Sequence, residues 1–73
     1  MNMAIMKQVK IHDEFITLGQ FLKIVDLVSS GGEVKYFISE NLILVNGEEE
    51  NRRGRKLYRN DQIEVNDLTY KIC

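Results

Sequence analysis

The apolar residues of this chain change their spacing twice, and that change limits the folds open to it. From Lys7 to His12 they alternate, with Val9 and Ile11 on one side and Lys10 and His12 on the other, the period-two pattern of a half-buried strand. From Leu18 to Ile38 they recur every three or four residues: Leu18, Phe21, Leu22 and Val25 make one helical stripe, and Val34, Phe37 and Ile38 make a second. Beyond Leu42 the strand pattern returns. Strand, two helices, then strands, all within 73 residues, predicts an α+β fold in which two short helices pack on a small antiparallel sheet.

Local signals set the boundaries. Thr17-Leu18-Gly19-Gln20 has the spacing of a capping box, which starts the first helix at Leu18, and Ile16 just before it is placed to close onto Phe21. Leu27-Val28-Ser29-Ser30 ends that helix. Ser30-Gly31-Gly32-Glu33 repeats the box for a second helix, which stops near Glu40, with Asn41 suited to a left-handed closing residue. Leu42-Ile43-Leu44-Val45 reads as a buried strand entering a tight Asn46-Gly47 turn. Gln62-Ile63-Glu64-Val65 and Leu68-Thr69-Tyr70-Lys71-Ile72, separated by Asn66-Asp67, form a closing hairpin.

Seventy-three residues are read as one domain, 1–73, with little room to enclose an active site. Cys73, the one cysteine, has no internal partner for a disulfide, which fits a reducing cytoplasm. The opening Met1-Asn2-Met3-Ala4-Ile5-Met6 is too short and uncharged for a signal peptide, and no apolar run nears the roughly 20 residues of a membrane-spanning helix. No enzyme is expected. His12 is the one histidine, and pairing it with Cys73 would require the chain ends to meet in a pocket. One Cys and one His fall short of a zinc site, so neither metal nor cofactor is expected.

Charge is the informative quantity. The formal net charge is only −1, yet Arg52, Arg53, Arg55, Lys56 and Arg59, five of the ten cations, fall within eight positions. Lys23 and Lys35 occupy the polar sides of the two helices. In one reading the cluster is a solvated hairpin loop facing Glu48, Glu49 and Glu50. Surface pairs of that kind contribute only about 0–1 kcal/mol each, a weak reason to gather so many. In the other reading the arginines hold phosphates, and Gly31 and Gly32 let a phosphate approach the amides that open the second helix. No Gly-Lys-Ser/Thr follows them, so this is not a nucleotide P-loop.

The order of pieces is also familiar. Leu18-Gly19-Gln20-Phe21-Leu22, then Ser29-Ser30, then Glu33-Val34-Lys35-Tyr36-Phe37-Ile38, then Val45-Asn46-Gly47, then Asn60-Asp61-Gln62-Ile63-Glu64-Val65 follow one another. From Thr17 to Val65 the chain thereby resembles the S-four RNA-binding domain, the alpha-L motif, and looks most like its stand-alone bacterial YaaA-like branch. The resemblance implies a module that binds structured RNA, ribosomal RNA or a ribosomal particle above all, with no catalytic domain attached. Carried over residue by residue, the RNA-facing set is Lys23, Ser30, Gly31, Gly32, Lys35, Asn46, Arg52, Arg53, Arg55 and Lys56.

This sequence departs from the family pattern where many members carry Arg before the first helix, Asp-Lys before its Phe, and Arg after the Ser pair; Thr17, Gly19-Gln20 and Gly31 stand there instead. The expected trade is that the Gly31 and Gly32 amides replace a side-chain clamp and the arginine loop restores the charge. Tyr36 would stack on an exposed base or lie partly buried beside Phe37, and Asn46 would serve its turn. The rival expectation is a protein-interaction module that docks its charged loop on a ribosomal protein or an enzyme. A monomer is expected in either case.

Overall fold

The computed structural model describes residues 6–73. The reading of the Met1–Met6 run therefore falls outside the described residues, except at Met6. In chain order the elements are β1 (Met6–Val9), β2 (Phe15–Thr17), α1 (Leu18–Ile24), α2 (Gly31–Glu40), β3 (Ile43–Val45), β4 (Glu48–Glu49), β5 (Lys56–Tyr58), β6 (Gln62–Val65) and β7 (Leu68–Ile72). This is the expected α+β fold. No described helix is long and apolar enough to cross a membrane.

Five strands form one sheet in the order β1-β7-β6-β3-β4. The pairings β7–β6, β6–β3 and β3–β4 are antiparallel, as predicted, but β1 lies parallel to β7, so the sheet is mixed. Two helices and five strands intervene between β1 and β7, which gives the chain the long crossover that parallel neighbours need. β1 is also shorter than the Lys7–His12 alternation, yet the alternation itself holds, with Val9 and Ile11 buried and Lys10 and His12 exposed. The Cys73 amide donates to the Val9 carbonyl and the Ile11 amide to the Cys73 carbonyl, each at 2.9 Å. The chain ends thus do meet, while His12 stays exposed and no described hydrogen bond joins its ring to the Cys73 thiol.

Leu18, Phe21 and Leu22 of α1 and Val34 and Ile38 of α2 are buried against Ile43, Val45, Ile63, Val65, Tyr70 and Ile72 of the sheet. Phe21 meets Tyr70 edge-on at 5.1 Å, and burial pushes the Tyr70 phenol upward from its ordinary pKa. Asn46 and Gly47 both take positive φ, 53° and 85°, as the Asn-Gly pair requires, and the Asn66 turn joins β6 to β7.

The capping box of α1 is complete: the Gln20 amide donates to Thr17 Oγ1 at 3.2 Å and the Thr17 amide to Gln20 Oε1 at 2.9 Å. The helix ends sooner than predicted, at Ile24, because Asp26 turns left-handed (φ 62°) and the Leu27 and Val28 amides fold back onto the Leu22 carbonyl. Two further expectations are corrected. Ser30 caps α2 by position without a side-chain hydrogen bond, since Glu33 reaches one residue further back and accepts from both the amide and the hydroxyl of Ser29. Asn41 is extended (φ −134°), because the chain passes directly into β3, and closes α2 by donating its side-chain amide to the Phe37 carbonyl.

Candidate nucleic-acid interface

A two-stranded ribbon that the sequence did not disclose, β2 with β5, carries the basic loop back to the start of α1. Ile16 and Leu57 face each other across it and are buried, while Phe15 and Tyr58 oppose each other next to them.

The loop between β4 and β5 is folded around one carboxylate. Glu50 is only 6% exposed, and its amide donates to the Ile43 carbonyl, which extends the β3–β4 pairing by one step. Its Oε2 accepts from the amides of Asn51 and Arg52 and from Arg52 Nε; its Oε1 accepts from Arg52 Nη2 and, at 2.7 Å, from Arg55 Nη1. The Arg52 guanidinium, with help from Arg55 and against the effect of burial, lowers the Glu50 carboxyl to about 2. The three acids therefore do not face the cations as a group. Glu48 and Glu49 lie exposed on β4, and Glu50 alone organises the loop.

Held in this way, the loop closes the start of α1. The Arg55 carbonyl accepts from the Leu18 amide at 2.8 Å and the Arg53 carbonyl from the Gly19 amide at 2.9 Å, while Thr17 takes Gln20. These are the amides a helix leaves free at its start. The approach does not depend on glycine: a Cβ at Gly19 would stand 3.4 Å from Val34 Cγ1 and 3.5 Å from the Arg53 carbonyl, ordinary contact distances.

The start of α2 is different. The Glu33 amide turns back to the Ser30 carbonyl, but no acceptor for the Gly31 or Gly32 amide occurs among the described residues, and open space surrounds the position of a Cβ at Gly31. In front of it lies a hollow lined by Thr17, Gly19, Gln20, Lys23, Gly31, Val34, Arg53 and Gly54. Arg53 also lines a second hollow with Lys35, Ile38 and Asn51, and Gly54 a third with Arg52, Arg55, Lys56 and Tyr58. Shared walls join the three into one cationic track. Among the described residues no group of three His, Cys, Asp or Glu side chains is placed to hold a metal ion.

The sequence pattern of the S4 domain matches residues 9–73. The chain belongs to the S4-domain family. It is also 56% identical over 57 residues to the Bacillus subtilis (strain 168) "Probable ribosome maturation protein RlbA", an alignment that covers 78% of this chain and 80% of that protein. A general RNA-binding role goes with S4-domain membership, as the sequence resemblance implies.

In this S4 domain the track gathers Lys23, Gly31, Lys35, Arg52, Arg53, Arg55 and Lys56 from three separate segments, α1, α2 and the continuous stretch 52–56. Ser30 and Gly32 are exposed immediately beside Gly31. Asn46 is placed elsewhere: its amide nitrogen donates to Asp61 and its oxygen accepts from the Gln62 amide, so both ends of the side chain serve the turn. Arg59 donates to the Ile11 carbonyl and is likewise structural. Tyr36 is not partly buried but 69% exposed on α2.

Sequence reasoning missed Glu50, Gly54 and the carbonyls of Arg53 and Arg55. The sequence carried only part of a signal for Glu50. Counting back from the two-residue Asn46-Gly47 turn sets Glu48 opposite Val45 and Glu50 opposite Ile43, which places both acids on the core-facing side of β4 but does not tell which of them is buried.

Proposed function

We propose that this S4 domain binds structured RNA through its backbone phosphates, that the RNA is ribosomal RNA or a ribosomal particle, and that the protein serves ribosome assembly or function in the cytoplasm as a monomeric single domain. The observation that carries this reading is that Arg53 lines both the hollow at the unfilled start of α2, which it shares with Lys23, and the adjoining hollow of Lys35. A helix start with free amides favours an anion, and glycines there admit a phosphate to the backbone. Arginine adds donors in a planar fork that matches phosphate oxygens. The name of the Bacillus subtilis relative, a ribosome maturation protein, supports the ribosomal part. Structured RNA is recognised largely by shape, phosphates and 2′-hydroxyls, so sequence specificity from this domain alone is expected to be modest.

Exposed Glu48 and Glu49 beside the arginine loop favour a second reading, a mixed-charge docking surface for a ribosomal protein or an enzyme. Binding of the purified protein to ribosomal RNA fragments, to an unrelated stem-loop and to assembled ribosomal particles separates the two. Free ribosomal RNA is expected to bind. Binding to particles with none to any free RNA would favour protein docking.

A further inference from the structure

The third hollow differs from the other two in having an aromatic wall. Tyr58 stands there beside Arg52, Gly54, Arg55 and Lys56, and it is 42% exposed. The inner face of the β2/β5 ribbon carries Ile16 and Leu57, both buried; its outer face carries Phe15 opposite Tyr58, with ring centroids 5.8 Å apart and tilted by 52°. The Lys56 ammonium sits 4.8 Å from the centre of the Phe15 ring. A cross-strand aromatic pair stabilises a short ribbon, which accounts for two rings meeting. It does not account for one ring remaining open beside three cationic side chains.

One of these cations keeps a donor free toward solvent. Arg52 uses Nε and Nη2 on Glu50, and with its side chain 72% exposed it keeps Nη1 for another acceptor. A duplex could lay phosphates along all three hollows, but its stacked base pairs offer no ring face to Tyr58. An unpaired base does, and stacking of single-stranded bases on aromatic side chains beside a cationic groove is a general mode of binding.

We propose that the outer face of the β2/β5 ribbon is a subsite for one unpaired RNA nucleotide, its base stacked on Tyr58 and its flanking phosphates held by Arg52 and Lys56. This rests on the RNA reading above and adds to it: the RNA held by α1, α2 and the loop is a helix bordered by a single strand, and Gly54, which lines both hollows, marks where the strand leaves the helix.

The test uses one stem-loop in three forms: blunt, with a three-nucleotide unpaired tail at the 3′ end, and with the same tail at the 5′ end. Wild type is expected to bind one tailed form at least about fivefold tighter than the blunt form, the lower end of what a single stacked base contributes. Tyr58→Phe should keep that gain; Tyr58→Thr should lose it, so that its tailed and blunt forms bind alike. Equal affinity of wild type for all three forms, or an undiminished gain in Tyr58→Thr, overturns the subsite and leaves the RNA reading standing. Failure of wild type to bind any of the three overturns both. A 4-thiouridine in the tail, photocrosslinked to wild type, removes dependence on variant folding: a crosslink within Lys56–Tyr58 is expected, and one confined to other segments refutes the assignment.

Discussion

The two helices of this domain begin in opposite ways. α1 opens against its own protein: Thr17 accepts from Gln20, and the Arg53 and Arg55 carbonyls accept from Gly19 and Leu18. α2 opens toward solvent, with Ser30 at its cap making no side-chain bond and the Gly31 and Gly32 amides unmatched among the described residues. Both carry the same partial positive charge of a helix start. Where that charge is neutralised internally it anchors the basic loop; where it is left unneutralised it faces the hollow that the loop's Arg53 completes. The closed start is thus the scaffold for the open one, where the proposed site lies, and Glu50 holds the connection.

Several variants would break or sharpen this contrast. The largest effect is expected from Glu50→Gln, which removes the carboxylate that Arg52 and Arg55 share. Urea denaturation at pH 7 should show a loss of about 2 kcal/mol. The pH dependence follows from the same group. Because its folded pKa, about 2, lies below the ordinary 4.5, its contribution is fully present above about pH 5 and is lost as pH falls from 4.5 toward 2. Glu33, also lowered chiefly by the Ser29 amide, shifts in the same direction in both proteins. The difference between wild type and Glu50→Gln should therefore shrink across that acid range, and a constant difference would contradict the assignment.

Next in size is the double variant Gly31→Ala, Gly32→Ala. Cβ atoms there meet nothing closer than the Ser30 hydroxyl, 4.0 Å from the one at Gly32, so stability should hold or rise slightly, while RNA affinity falls about tenfold if a phosphate sits on those amides. Unchanged affinity would show that α2 opens onto nothing. Thr17→Ala acts on the closed start and should cost about 1 kcal/mol of stability with little change in RNA affinity. The smallest effect is expected from Gly19→Ala, whose Cβ makes only ordinary contacts with Val34 and Arg53; thermal unfolding should shift by no more than about 0.5 kcal/mol.

What the sequence revealed depended on how far apart the interacting residues lie. The capping box of α1, the Asn46-Gly47 turn and the β6–β7 hairpin are written within a few positions, and all three were readable. The start of α2 was placed correctly at Ser30, but the partner of Glu33 was misassigned by one residue, because Ser29 and Ser30 offer similar hydroxyls and only the bend of the preceding turn chooses between them. The β2–β5 ribbon joins segments about forty residues apart through three residues each, too short for a periodic signal. The basic cluster was visible as charge, but its division of labour was not. Arg52 and Arg55 hold the loop together through Glu50, Arg59 ties down Ile11, and Arg53, whose side chain has no hydrogen-bond partner among the described residues, lines two of the hollows. Changing Arg52, Arg53 and Arg55 together would therefore confuse unfolding of the loop with loss of binding.

Arg53 is the clean probe. The most direct measurement is the dependence of RNA affinity on salt for wild type and for Arg53→Gln, with folding of both checked by circular dichroism. Phosphate binding releases counterions, so wild type should show a steep fall of log K with log salt, and the variant a weaker affinity with a slope reduced by about one. Identical slopes and affinities, or an RNA affinity indifferent to salt, would contradict the claim that this track holds an RNA backbone.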